Sequence, residues 1–265
     1  MIVRTEISVI IRVDTGRGIK DCLASLFGQD FHQPFHIIVM ESGLEHECEA
    51  YLDQVINAHP NVFRFSCAPS TIESFGNLGL SHSIGKYVVF LTEMMVVKPD
   101  FLSSLWKMAK EEKSCVVLSD KKRKTYKGTA MFSRLIKGEM MTAYGGLFLR
   151  EMIHKKRIQF EPSFHENQMV PLLAFSFLSS VNVSTVPTSV IKGLPNPSLL
   201  SVDVLSSIQK RMIEEGMDQP KVDKMMRKAM KLVKKRKGGR KNGENLIRFH
   251  DPRYLSKSEA GWNQI

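Results

Sequence analysis

Over the first 120 residues, short β-branched runs alternate with amphipathic stretches, a rhythm that commits the chain to an α/β fold. The runs are "EISVIIRV" (6–13), "FHIIVM" (35–40), "NVFRFSC" (61–67), "KYVVFLT" (86–92) and "SCVVLSD" (114–120). Between them, "GIKDCLASLFGQ" places Ile19, Cys22, Leu23, Leu26 and Phe27 on one helical face, and "EHECEAYLDQVINA", "TIESFGNLGLSHSI" and "DFLSSLWKMAKEE" repeat the pattern. Apolar runs without polar alternation suit strands covered on both faces. Strands and helices alternating at this spacing build right-handed βαβ units and a mostly parallel sheet with flanking helices. Such sheets bind ligands beyond the carboxyl ends of their strands. The residues to watch are therefore Asp14 and Thr15 after the first strand, Glu41 and Ser42 after the second, and Thr92 and Glu93 after the fourth.

Several function classes fall away. No run approaches the roughly 18 apolar residues of a membrane span, and "MIVRTEISVIIRVD" reads as a first strand rather than a signal peptide, so a cytoplasmic protein is expected. Cys22, Cys48, Cys67 and Cys115 form no C-x-x-C pair and are expected to be reduced structural thiols. "DTGRGIKD" lacks the third glycine of a dinucleotide fingerprint. After residue 120 the rhythm changes. The stretch from Asp120 to Gly146 is polar, basic and irregular and reads as loop; a short strand and helix, a turn at Glu161-Pro162, a helix from about Glu166 and the strand "VNVSTVP" follow. A Pro-, Ser- and Asn-rich stretch leads to a helix near 201–216, a basic helix, and a Gly- and Lys-rich tail. The expected division is a body over 1–200, carboxyl-terminal helices over 201–237 and a tail over 238–265.

The net charge of +11 is concentrated. From Lys221 to Lys241, eleven Lys or Arg stand against one acid, Asp223, which leaves the body nearly neutral. In "PKVDKMMRKAMKLVKKRK", Val222, Met225, Met226, Ala229, Leu232 and Val233 recur at helical spacing, with Pro220 opening the helix and Gly238-Gly239 ending it. A basic amphipathic helix with a methionine-rich face suits an anionic membrane surface, which Lys224, Arg227, Lys228, Lys231, Lys234 and Lys235 would contact. The same pattern fits a helix that packs its apolar face on the body and leaves the basic face in water. Nucleic acid is not an expected partner, because no aromatic platform or recognition motif accompanies the charge.

Six pieces follow one another along the chain: "ISVIIRVDT" (7–15), "CLASLFGQ" (22–29), "HIIVMESGL" (36–44), "FGNLGL" (75–80), "GKYVVFLTEMM" (85–95) and "GGLFLREMIHKKRIQFEP" (145–162). Their order and spacing resemble the inverting glycosyltransferases of family 2, which have the GT-A fold. There the corresponding strings read "VSVIIPVYN", "CLxSLxxQ", "EIIVVDDGS", "ARNxGL", "GxYxxFLDxDD" and "GKLFRRxxL…IxFxE". A later acidic pair, "GED", falls on "HEN" (165–167). The resemblance covers roughly residues 5 to 192. A family-2 body ahead of a basic helix is also similar in organisation to the amino-terminal region of bacterial wall teichoic-acid polymerases.

The resemblance implies transfer of a sugar from a nucleotide-diphosphate donor to a cell-envelope polysaccharide or teichoic-acid-like acceptor, a glycan or polyol phosphate. It implies nucleotide contacts from Asp14, Glu41 and Thr92, a Mn2+ or Mg2+ ion assisted by Glu93, and Glu166 as the base for the acceptor hydroxyl. His165 sits beside that base in sequence. Several motif positions depart from the family pattern. Glu41 and Ser42 replace an aspartate pair, Gly76 replaces the arginine before "NxGL", Thr92, Glu93 and Met94 replace Asp-x-Asp, and Asn167 replaces the acid that often serves as base. Each acid also has a plainer reading: a solvated strand end for Glu93, a loop acid for Asp14, and helix-start acids for Glu41 and Glu166. A second function follows from the drift, a catalytically inactive glycosyltransferase-like domain that binds an acceptor or partner at the membrane.

Overall fold

The structure, a computed structural model, describes residues 4–67, 72–137, 142–160, 169–187, 189–193, 202–214, 216 and 218–239. In chain order the elements are β1 (Ile7–Val13), α1 (Ile19–Phe27), β2 (Phe35–Glu41), α2 (His46–Ala58), β3 (Val62–Ser66), α3 (Ile72–His82), β4 (Tyr87–Thr92), β5 (Val96–Val97), α4 (Phe101–Glu111), β6 (Val116–Asp120), β7 (Lys124–Lys127), α5 (Gly128–Ile136), β8 (Leu147–Leu149), α6 (Arg150–Lys155), α7 (Met169–Ser179), β9 (Asn182–Pro187), β10 (Val190–Lys192), α8 (Val202–Glu214) and α9 (Gln219–Gly239). Eight strands form one sheet in the order β3-β2-β1-β4-β8-β6-β9-β7. The pairs β1–β2, β1–β4, β2–β3 and β6–β9 are parallel, whereas β8 and β7 run antiparallel to their neighbours. The expected mostly parallel sheet with flanking helices is the architecture observed.

The continuous apolar strands are explained by two cores, one on each face. Ile7, Val9, Ile11 and Val13 of β1 join α1, α2 and α4 in one. Ile10, Met40 and Phe90 join α3, α5, α6, α7, α8 and α9 in the other. β1 and β4 are neighbours although β2 and β3 lie on the far side of β1, so the order of the sheet switches direction between them. Crevices in open α/β sheets form at such points.

Part of the stretch expected as irregular basic loop is regular. Lys124–Lys127 pair with β9, and the next helix buries Met131, Phe132, Leu135 and Ile136. Those apolar positions are one turn apart, but Lys and Arg on both sides obscure the period. A second, two-stranded ribbon joins β10 to β5, with the Lys98 N–H donating to the Ser189 carbonyl at 2.7 Å.

The basic helix forms, and its apolar stripe has an internal partner. Val222, Met226 and Ala229 are buried in the same core as Val204, Leu205, Ile208 and Met212 of α8. The methionine-rich face expected to meet lipid is thus largely engaged by the protein itself. Lys221, Lys224, Arg227, Lys228 and Lys231 remain exposed. Lys234 and Lys235 lie within α9, with side chains outside the described set. Among the described residues, no helix is long and apolar enough to cross a membrane.

Candidate active site

At the switch point, Arg12 of β1 stands in register with Thr92 of β4 on one side and Met40 of β2 on the other, and Val13 is level with Glu41. The carboxyl edge therefore brings Asp14, Glu41, Thr92 and Glu93 to one end of the sheet, as the strand pattern predicts. What each carboxylate does there differs from the family's arrangement.

Glu93 is buried and turned into the loop after β1. Its Oε1 accepts the Thr15 N–H at 3.0 Å and the Thr15 hydroxyl at 2.9 Å, and its Oε2 accepts the Gly16 N–H at 2.5 Å. The Glu93 N–H in turn donates to the Arg12 carbonyl at 2.9 Å. The side chain fastens the β1–α1 loop to the end of β4. Gly18 makes the approach possible, because a Cβ there would come within 2.5 Å of the Glu93 carbonyl oxygen. Cys22 lies under the same loop with its thiol 3.7 Å from the Thr92 carbonyl. Burial, with the Glu93 charge adding to it, pushes that thiol up to about 12, so it stays neutral.

Glu41 is likewise buried and held by its neighbours. It accepts from the Arg64 guanidinium at 3.3 Å, from the Ser66 hydroxyl and from the Gly43 N–H at 3.1 Å. Arg64 also reaches Glu49 at 3.3 Å and Asp53 at 3.0 Å, which ties β3 to α2. A nucleotide contact from Glu41 would share the carboxylate with these donors. Asp14 is exposed and accepts from Arg12 Nε at 2.8 Å. Thr92 is partly exposed, Met95 is buried, and Met94 is exposed. Glu166, His165 and Asn167 lie outside the described residues.

The chemistry of this donor set does not fit a hard divalent cation. Mg2+ and Mn2+ take carboxylate, carbonyl and water oxygens. At the three positions of the Asp-x-Asp motif, Thr92 is neutral, the Glu93 oxygens already accept three hydrogen bonds, and Met94 offers a soft thioether. Among the described residues no group of three His, Cys, Asp or Glu is placed to hold a metal.

Several residues that matter were not singled out from the sequence. Phe160 occupies the space that a side chain at position 76 would need: a Cβ on Gly76 would lie 2.3 Å from its ring. Asn77 locks that arrangement, donating to the Phe160 carbonyl at 2.8 Å and accepting its N–H at 2.9 Å. Gly193 presses on the β4–β5 loop. It has φ +78, and a Cβ there would lie 1.7 Å from the Met94 carbonyl oxygen. Arg12 was passed over as well, and it is the one of these with a signal in the sequence, the single charge inside β1.

Residues 10–165 match the family model described as glycosyl transferase family 2. No curated protein sequence matches the chain. Among solved structures, S. aureus TarS 1–349 superimposes with a TM-score of 0.66 at 15% identity, over 89% of this chain and 73% of that one. TarS 1–349 in complex with UDP-GlcNAc gives 0.65 at 15% identity, over 86% and 72%. A mannosyltransferase from Pyrobaculum calidifontis, PcManGT, in complex with GDP-Man and Mn2+, gives 0.57 at 14% identity, over 91% and 77%. At these identities the likeness is one of fold, and it is the GT-A fold that the motif order implied.

Proposed function

The chain belongs to glycosyl transferase family 2, and from that membership we propose that it transfers a sugar from a nucleotide-diphosphate donor to a cell-envelope acceptor, a glycan or a polyol phosphate of the teichoic-acid kind. The observation that carries this reading is the gathering of Arg12, Asp14 and Thr92 at the carboxyl edge of β1 and β4, the crevice position of an open α/β sheet. UDP-GlcNAc and GDP-Man, the sugar nucleotides in the TarS and PcManGT complexes, are the donors to try first. In this reading Asp14, Glu41 and Thr92 contact the nucleotide, Glu41 while still accepting from Arg64, Ser66 and Gly43. Glu166 takes the proton of the acceptor hydroxyl as that oxygen attacks the anomeric carbon with inversion. The bond from that carbon to the diphosphate breaks, and the nucleoside diphosphate leaves. The exposed lysines and arginines of α9 would hold the enzyme at the anionic inner face of a membrane through charge, since Val222, Met226 and Ala229 are already packed on the body.

A second reading, binding without transfer, is favoured by one observation: Glu93, the one acid at the Asp-x-Asp position, is fully engaged in holding a loop. The two separate experimentally. The full chain is incubated with labelled UDP-GlcNAc or GDP-Man and an envelope polymer fraction, following nucleoside diphosphate release and incorporation of label. Incorporation that is lost in Glu166→Gln supports transfer. Saturable donor binding with neither release nor incorporation supports the binding domain.

A further inference from the structure

Two positive charges that family-2 chemistry places against a donor are displaced in this chain, the arginine before "NxGL" and the metal at Asp-x-Asp. One unassigned charge stands in the gap. Two close approaches map α3 and the turn after it onto β1. Gly85 donates to the Ser8 hydroxyl at 2.8 Å. Gly79 sits on Ile10, where an added Cβ would come within 2.6 Å of Cγ2. One turn before Gly79 on α3, Gly76 meets the Phe160 ring, while Arg12 lies two residues beyond Ile10 along the strand. The side chains of β1 alternate, and Ile10 and Met40 belong to the α3 face, so Arg12 emerges on that face too. It does so at the switch point, level with Thr92.

Arg12 is held rather than loose. Asp14 takes its Nε at 2.8 Å, and the Tyr144 phenol engages the same guanidinium. Burial works against its charge, but Asp14 and Tyr144 outweigh it and raise its pKa further above the ordinary arginine value. A guanidinium carries five N–H donors in a rigid fork suited to two phosphate oxygens at once. With Nε on Asp14 and Tyr144 on the terminal side of the fork, the remaining terminal N–H groups are the part able to turn toward an anion beyond the strand end. The alternative positions are closed: Phe160 fills the place of a side chain at 76, and the Asp-x-Asp positions do not suit a hard cation.

We infer that Arg12 is the phosphate-binding residue of this site, and that the chain binds the diphosphate of its donor without a divalent cation. The inference rests on the nucleotide-sugar reading above and specifies the chemistry of that same site. An arginine on β1 takes the part that the family pattern gives to an arginine at position 76 on α3 and to a metal.

The test is calorimetric titration of the full chain with UDP and GDP, each in EDTA and in excess MnCl2, alongside the parent nucleosides. At least one diphosphate should bind in EDTA with an affinity that manganese changes by less than twofold. Arg12→Gln should weaken that binding tenfold or more and bring the diphosphate close to its nucleoside, whereas Arg12→Lys should retain part of the difference. Thermal melting of each variant establishes that it is folded. Binding that appears only with manganese, or Arg12→Gln binding like the parent protein, overturns this inference and leaves the nucleotide reading standing. If neither diphosphate binds to the folded chain under either condition, the nucleotide reading falls and takes this one with it.

Discussion

Replacing Glu93 with glutamine keeps the side-chain shape but puts an amide NH2 against at least one of the three donors of Thr15 and Gly16. Hydrogen bonds to a charged partner contribute about 1.5–3 kcal/mol each. Glu93→Gln should therefore lower stability in urea unfolding by about 2–3 kcal/mol in metal-free buffer, which a residue serving only as a metal ligand would not do. His36 makes a different prediction. It is buried on β2 with its Nε2 unpartnered among the described residues, and burial, aided by the Arg150 charge, lowers its pKa to about 4. The unfolded chain then binds a proton from about pH 6.5 downward, while the folded one does so only near pH 4. Stability is complete above pH 6.5 and falls as the pH drops toward 4, by on the order of 3 kcal/mol. Melting temperatures between pH 7.5 and 4.5 should show the decline, and His36→Leu should flatten it. At this scale the sequence was a partial guide. It located Glu41 and Glu93 at strand ends, but the partners that engage them come from 23 and 78 residues away. No local pattern carries information at that distance.

Elements were more legible, because their signal is periodic and local. Strands β1 to β4 and β6, and the helices between them, follow directly from apolar runs and one-turn spacing. β7 and α5 escaped because five of the residues from 121 to 127 are Lys or Arg, so that charge hides the alternation. The fate of the α9 apolar stripe was also undetermined, since a period identifies a face without identifying what covers it. Its packing on α8 predicts that Met226→Ala, at a fully buried position, costs about 2–4 kcal/mol. Chemical denaturation measures that loss; a stripe reserved for lipid would show almost none. The β5–β10 ribbon gives a sharper case. Gly193→Ala cannot keep its backbone beside the Met94 carbonyl, so the ribbon should separate. Hydrogen exchange at the Lys98 amide, now bonded to Ser189, should accelerate strongly.

For the molecule as a whole, charge and fold are separately placed. The body supplies a nearly neutral GT-A scaffold, and the segment from Lys221 to Lys241 supplies almost all of the net charge. Because Val222, Met226 and Ala229 of α9 are buried against the body, the proposed membrane attachment should behave as surface electrostatics. Each engaged Lys or Arg contributes about 1 kcal/mol near an anionic surface, and salt at about 1 M shortens the screening length to about 3 Å. Cosedimentation should show binding to phosphatidylglycerol vesicles at low salt, release at high salt, and no binding to phosphatidylcholine vesicles. Exchanging Lys224, Lys228 and Lys231 for glutamate should remove it while leaving nucleotide affinity within twofold.

The ring of Phe160 against Gly76 has a consequence for how such a protein can change over time. An arginine at 76 cannot enter while Phe160 is present, and Phe160 cannot shrink without leaving a void beside Phe90, whose ring lies 5.5 Å away. That void costs about 3–5 kcal/mol, a large share of the stability a domain usually has. Either change made first is harmful, so a stepwise path to an arginine at position 76 passes through a badly weakened protein. The pair works as a ratchet: neither position can change alone without loss, so change is steered to the rest of the site.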